Sequence, residues 1–532
     1  MSKKESLILF VVSLIFFSAL AALQTVPGYM DAEYYFGQAI NFSQGHGFQE
    51  YFIWNYLNDP AGIPAVGFTF WLPLTSFIAS IGLWASKTTD FFMARMMFIL
   101  LAACIPVITA DIASHFVSSK RVGWLAGGLA LFSGFYLPYL TITDNFTPFM
   151  VLGGLFFLLV IKITTKTAEN KNKILHFMFL GMVAGLMTLT RSEGLLWLAG
   201  GVLTVFLVAR RDGWRVTRFL IYSGIIGAGF LICMVPWYVH NYSLFEGIYP
   251  PGNRLMFLMT RYDDLFLYPA GELTAGRWQA SGLSSIFIDR MKAAGSNIQT
   301  LIATGADIFL FPLLIIGYWK NRRNNSVIVF GWMILLTFVS MSFIFPYAGA
   351  RGGFFHSLSS VQPLLWALIA AGLEIVIQWG VKRRNWMYNR AWWMFGVAIV
   401  LTAAALTGFI MNDKMIHGLE NEIPWNDSQK AYQEIEMGLI NQNIGLDETV
   451  MINNPPGFTL ATGRQSVMIP TGGSGSVLAV CERYEVNYLV VNDEREDVQK
   501  LLVEDPVMAD KFSLLFRSEE RRVGKECRSR WS

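Results

Sequence analysis

Residues 7–35 read LILFVVSLIFFSALAALQTVPGYMDAEYY: twenty almost uninterrupted apolar residues, a Pro-Gly turn, then Asp31 and Glu33 separated by Ala32, with no basic residue nearby. About 20 mostly apolar residues suffice to cross a bilayer. The run begins after Lys3 and Lys4 and has no small-residue cleavage site before Pro27, so it reads as an uncleaved anchor rather than a removed signal. The two carboxylates are therefore expected at the far membrane boundary, where a charge is costly to place without a purpose.

Working outward, the same kind of run recurs. Twelve stretches qualify, roughly 7–26, 62–85, 91–113, 122–141, 146–163, 174–190, 194–209, 217–239, 300–319, 326–346, 357–379 and 391–411. The composition agrees: of 532 residues, 54% are hydrophobic and only 15% charged. An ordinary soluble domain is about 25% charged, so a string of globular domains is excluded. The 15% aromatic content suits belts at both membrane interfaces.

Cytoplasmic connections should be rich in Lys and Arg, which tests the twelve. If all cross, Lys120-Arg121 and the loop holding Lys162, Lys166, Lys171 and Lys173 fall outside. Withdrawing 62–85, which is broken by Pro64, Gly67, Pro73 and Gly82, moves both inside and leaves nineteen basic residues in cytoplasmic segments against eight in outer segments before residue 412. The expected architecture is thus an all-α polytopic membrane protein of about 11 transmembrane helices, N-terminus cytoplasmic, with 62–85 interfacial or re-entrant. Residues 1–411 form the membrane part, with outer loops at 27–90 and 240–299. Beyond Met411 the composition changes: an amphipathic helix near 428–441 is followed by β-type runs at 449–452 and 488–491 among Pro/Gly turns. Residues 412–516 are expected to form a small extracytoplasmic α/β domain.

The formal charge of +3 comes wholly from residues 517–532, which hold six Lys/Arg against three Glu and read as a non-native or disordered tail. The four cysteines (Cys104, Cys233, Cys481, Cys527) are far apart and form neither a disulfide framework nor a CxxC site. Six scattered histidines give no HExxH spacing, and no Walker loop, GxGxxG or GxSxG occurs. No basic and aromatic patch suggests nucleic acid.

Polar groups gather at the outer ends of the expected spans: Asp31 and Glu33; Thr143-Asp144-Asn145; Thr190-Arg191-Ser192-Glu193-Gly194; Pro236-Trp237-Tyr238-Val239-His240-Asn241; and Tyr347 to His356, with Arg351 between glycines. A carboxylate can take a proton from a hydroxyl, and an arginine can grip a phosphate with two hydrogen bonds. Together they suit transfer from a phosphate-linked donor. The simpler alternatives are a solvated carboxylate for Asp31, a turn cap for Asp144, an ion pair with Glu193 for Arg191, and interfacial anchoring for Arg351, His240 and His356.

The segment Pro27 to Tyr35, followed by Gly45-His46-Gly47-Phe48 and Trp54-Asn55-Tyr56-Leu57, resembles the GT-C fold glycosyltransferases that use polyprenyl-phosphate sugars. The branch it is most similar to includes protein O-mannosyltransferases and the aminoarabinose transferase of lipid A. Met93-Ala94-Arg95, Thr143-Asp144, Leu189 to Gly194, Pro236 to Asn241 and Arg351 with Gln362-Pro363 fall in the order that family shows, across about residues 7–411. The resemblance implies an integral protein of a prokaryotic inner membrane that moves a hexosyl or pentosyl group, with inversion, from a polyprenyl-phosphate donor to a hydroxyl of a lipid, glycan or protein acceptor. It implies Asp31 as catalytic base and Asp144 as its second acidic residue. Family members often carry adjacent Asp-Glu here, whereas Ala32 intervenes. Glu33, Arg191, Arg351, His240 and His356 are the substrate-binding candidates. No metal ligands are assigned, and a divalent metal is the only cofactor left open. The alternatives are an oligosaccharyltransferase or lipid-linked glycan ligase of the same architecture, or a non-catalytic assembly or transport protein.

Overall fold

The computed structural model describes residues 1–165, 173–417, 424–491 and 496–516. Lys166, Lys171 and the basic tail 517–532 lie outside these residues. Helix α1 (Lys3–Leu23) starts with a capping box in which Ser2 and Glu5 satisfy each other's backbone N–H groups. The positive φ of Gly28 (88°) then turns the chain into α2 (Met30–Ser43), the helix that carries both carboxylates. A methyl group on Gly28 would overlap the Trp425 indole, and Trp425 Nε1 donates to Val26 O at 3.1 Å. The C-terminal segment thus clamps the turn between α1 and α2.

Among the described residues nine helices are long and apolar enough to cross a membrane, and the chain is an integral membrane protein. They include α1, α4 (Phe91–Phe116), α6 (Phe146–Thr164), α7 (Lys173–Thr190) and α9 (Val216–Phe245), with α8 (Leu195–Asp212) entered through a 3₁₀ turn from Ser192. The helical part of the stretch 62–85 is the 13-residue α3 (Leu74–Ser86), too short to span.

Two expected spans take other forms. In place of 122–141 stand α5 (Lys120–Leu131) and a 3₁₀ helix Gly134–Tyr139, because Gly134 adopts φ 55° and Pro138 donates no hydrogen bond. This pair still follows α1 end to end: Lys120 pairs with Glu5 at 3.0 Å, while Gln24 at the other end bonds Pro138 O and Thr141. In place of 300–319 stand α11 (Leu283–Ala306) and α12 (Phe311–Asn321), bent by 88°. Asp307 and Ile308 between them have φ 45° and 61°, which stops the first helix, and Pro312 opens the second. Counting the bent pair as one gives ten apolar spans among the described residues, and the α5–3₁₀ pair, which runs the length of α1, makes an eleventh crossing.

After a short α10 (Ala275–Ala280) upstream of that pair, the rest of the membrane part is α13 (Asn325–Val339), the brief α14 (Pro346–Ala348) and α15 (Phe354–Leu358), α16 (Gln362–Arg384) and α17 (Tyr388–Asn412). Helices meet at glycines: a methyl on Gly153 of α6 would lie 1.8 Å from Ser360 O, and one on Gly372 of α16 would lie 2.1 Å from Leu313 O of α12. Small residues let backbones approach where lipid offers no hydrophobic drive between helices.

Outside the membrane part, β1 (Gln49–Glu50) pairs antiparallel with β3 (Ala65–Val66). A parallel sheet runs in the order β2-β5-β4-β6, with β4 (Thr449–Ile452), β5 (Ser466–Met468) and β6 (Val486–Leu489), and with α18 (Ser428–Asn441), α19 (Pro455–Thr462) and α20 (Ser474–Arg483) around it. Its edge strand β2 (Phe52–Ile53) belongs to the first outer loop. The sheet is therefore built from two distant parts of the chain.

Candidate active site

Asp31 and Glu33 lie in the first turn of α2, where the helix N-terminus favours negative charge. Each residue turns a helix by about 100°, so positions two apart face different ways. Glu33 points to the C-terminal segment and accepts from Asn454 Nδ2 at 2.8 Å. Asp31 points to the membrane bundle, on the same face as Tyr35 four residues on.

There the turn before α6 meets it. Thr143 Oγ1 donates to Ala32 O at 2.9 Å, which fixes the turn against α2. Asp144 is fully buried; one carboxylate oxygen accepts from the Asn145 N–H and the other, Oδ2, has no partner. Asn145 Nδ2 reaches Tyr35 Oη at 3.3 Å, and Asn145 Oδ1 lies 2.9 Å from His356 Nδ1. Because that amide oxygen can only accept, Nδ1 carries the proton and Nε2 presents a lone pair. Phe146 stacks on the imidazole at 4.0 Å and holds its plane, and His356 Nε2 stands 3.9 Å from Asp31 Oδ2. Asp31, Asp144 and His356 each offer one ligand atom within 4.8 Å of the others.

Arg191, in the turn between α7 and α8, supplies the positive charge. Its Nε bonds Glu193, whose Oε1 also accepts from Ser357 Oγ at 2.7 Å, so the arginine is tied to the element bearing His356. Burial pushes Asp31 up to about 6 against the pull of Arg191 and a hydrogen bond from Trp71. Burial likewise pushes Asp144 up to about 7, against the Asn145 N–H and Arg191. Glu33 rises to about 7 from burial, opposed by Asn454. Carboxyls placed near neutrality can accept a proton and pass it on at working pH.

Arg351 is exposed and set apart, its guanidinium 4.7 Å from the ring centre of Tyr262 in the second outer loop. Tyr262 lies within electrostatic reach of both Arg351 and Asp31. Gly352, at φ 107°, lets the backbone turn there. His240 does not join the group: it stacks on Phe48 and Trp237 and lines a cleft of about 310 Å³ with His46 and Gln49. The structure thus brings together Asp31, Asp144, His356 and Arg191, sets Arg351 apart against the ring of Tyr262, and turns Glu33 and His240 elsewhere. Sequence reasoning missed the supporting roles of Tyr35, Trp71, Asn145 and Tyr262. Asn145 stood in the polar turn Thr143-Asp144-Asn145 and Tyr35 at i,i+4 from Asp31, whereas Trp71 and Tyr262 carried no signal.

No protein-family model and no curated protein sequence matches the chain. Solved structures do. The oligosaccharyltransferase of Archaeoglobus fulgidus, tethered with an acceptor peptide containing the NVT sequon, superposes with TM-score 0.58 at 13% identity, over 93% of this chain and 70% of that one. ArnT from Cupriavidus metallidurans bound to undecaprenyl phosphate superposes with TM-score 0.56 at 13% identity, over 94% of this chain and 91% of that one. The chain has the GT-C fold. The archaeal enzyme also matches as a complex with Zn and sulfate, at TM-score 0.55 and 11% identity over 90% of this chain and 67% of that one.

Proposed function

We propose that this GT-C protein moves one sugar from a polyprenyl-phosphate carrier to an acceptor hydroxyl at the outer membrane face, with inversion at the anomeric carbon. The observation that carries this reading is the convergence of Asp31, Asp144 and His356 with Arg191 beside them, in a fold shared with an enzyme solved bound to undecaprenyl phosphate. Asp31, whose side chain is 26% exposed, takes the proton of the acceptor hydroxyl. The acceptor oxygen bonds to the anomeric carbon from the face opposite the phosphate; the old carbon–oxygen bond breaks, and the phosphate leaves with the electron pair. Arg191 and Arg351 stabilise the charge that builds on it. Asp144 orients donor or acceptor. The N-terminus is cytoplasmic, and residues 424–516 lie outside, where the shared sheet helps present the acceptor.

A second reading is favoured by one observation, the three ligand atoms of Asp31, Asp144 and His356 and the unpaired Asp144 Oδ2. These residues would hold a divalent cation, which supplies neutralisation of a leaving phosphate group. That arrangement suits an oligosaccharyl- or lipid-linked glycan transferase. Both readings meet one experiment: purified protein in lipid is offered polyprenyl-phosphate monosaccharides, or pyrophosphate-linked glycans, with envelope extract as acceptor. Polyprenyl phosphate released by the wild type, unaffected by chelator, supports the first reading. Release only from pyrophosphate-linked donors, stopped by chelator and restored by divalent metal, replaces it with the second.

A further inference from the structure

The break between α11 and α12 buries a second polar centre, remote in sequence from Asp31. Asp307 is 3% exposed, and its Oδ2 has no hydrogen-bond partner. It lies at the C-terminal end of a 24-residue helix, the negative end of the helix dipole, where a carboxylate is electrostatically unfavourable. No ion pair among the described residues reaches it.

Two more unpaired oxygens sit on residues that pack beside it. Asp307 packs so closely on Gly134 that a methyl there would meet Oδ1 at 2.1 Å and Oδ2 at 3.4 Å. The residue beside it, Ser133, is 1% exposed with an unpaired Oγ. From α16, Gln362 donates its Nε2 to Gly305 O, two residues before Asp307, at 3.3 Å. That leaves Gln362 Oε1 buried and unpaired. A buried polar group without a partner is costly, and three on residues that pack at or beside one helix break require an explanation.

We propose that the α11–α12 break, through Asp307, Ser133 and Gln362, binds a monovalent metal cation of the sodium class. All the available ligand atoms are hard oxygens, which suit alkali and alkaline-earth ions over transition metals. One carboxylate balances one positive charge, whereas a divalent ion would leave a net charge buried. A proton on Asp307 would satisfy a single acceptor, but a coordinated cation satisfies several at once. Broken membrane helices offer their C-terminal ends to cations in the same way. The bound ion fixes the bend, and with it the packing of α11 against α15, the helix of His356. This inference does not depend on the transferase reading.

The test is thermal unfolding of the full chain in lipid nanodiscs, with NaCl replacing choline chloride at constant ionic strength. The expected result is a Tm that rises and saturates with sodium, and that does so in Asp31→Asn as in wild type. Asp307→Asn should lose the rise. Gln362→Ala should shift its midpoint by about tenfold or more. If Asp307→Asn does not fold, the Gln362→Ala midpoint and the order of Na⁺, Li⁺ and K⁺ on the wild type decide. A wild type that unfolds at the same temperature in sodium and choline, or an equal rise in the two variants at the break, overturns the proposal.

Discussion

Replacing Asp31 by asparagine separates its chemical role from its structural cost. Burial lifts the carboxyl from its ordinary 3.8 to about 6. At about 1.36 kcal/mol per pH unit, holding the ionised form at neutral pH costs the fold about 3 kcal/mol. The sign follows from linkage: the native state binds the proton more tightly than the unfolded chain, so stability falls as pH rises from about 4 to 6 and stays low above that. The amide carries no charge, can still accept from Trp71, and can donate towards His356 Nε2. Asp31→Asn should therefore abolish sugar transfer and raise Tm by about 2–5 °C at pH 7.5, with the difference shrinking towards nothing near pH 4. The assay is thermal unfolding in nanodiscs at both pH values, beside polyprenyl phosphate release. Retained turnover would remove Asp31 as the base. An inactive variant less stable than wild type at pH 7.5 would show that the carboxylate is held by attraction, and would refute the burial argument.

Further outcomes follow from the same geometry. Transfer should decline as pH falls through about 7 to 6, because Asp144 and Asp31 must both be ionised, and a flat acid limb down to pH 5 in wild-type turnover would contradict this. Asp144→Asn should lower turnover by about 100-fold while leaving the fold intact by circular dichroism; full activity would mark Asp144 as a turn cap. Arg351→Ala should reduce kcat/KM about tenfold or more, read in donor titrations, and an unchanged value would leave it an interfacial anchor. Asn454→Ala strips Glu33 of its partner and should cost about 1–3 kcal/mol, seen as faster hydrogen exchange in α2 and α19. Unchanged exchange would show that the contact does not hold the two together.

The membrane part was legible because its signals are local. Apolar runs of spanning length and the placement of lysines and arginines depend on a few neighbouring residues, and α1, α4, α6, α7, α9, α13 and α17 lie where those runs predicted. The helix at 428–441 and the strand at 449–452 were equally plain from period and composition. What failed was legible only after the fact: hydropathy averages over Gly134 and Pro138, and over Asp307, yet a single positive φ or a missing donor stops a helix whatever the average.

By itself the sequence determined that this is a polytopic membrane protein with its polar residues gathered at one face, and that Asp31 follows the first span. Only the tertiary structure decided which of those residues meet. Two residues apart on a helix, Asp31 and Glu33 turn to different partners, Asp144 and His356 for one and Asn454 for the other. Those partners come from 113, 325 and 421 positions further along the chain, and no local pattern encodes a distance that only packing brings to within 4.8 Å. The strand Phe52–Ile53 joins a sheet formed some 400 residues later for the same reason: pairing is settled by which backbone edge the folded bundle leaves beside it.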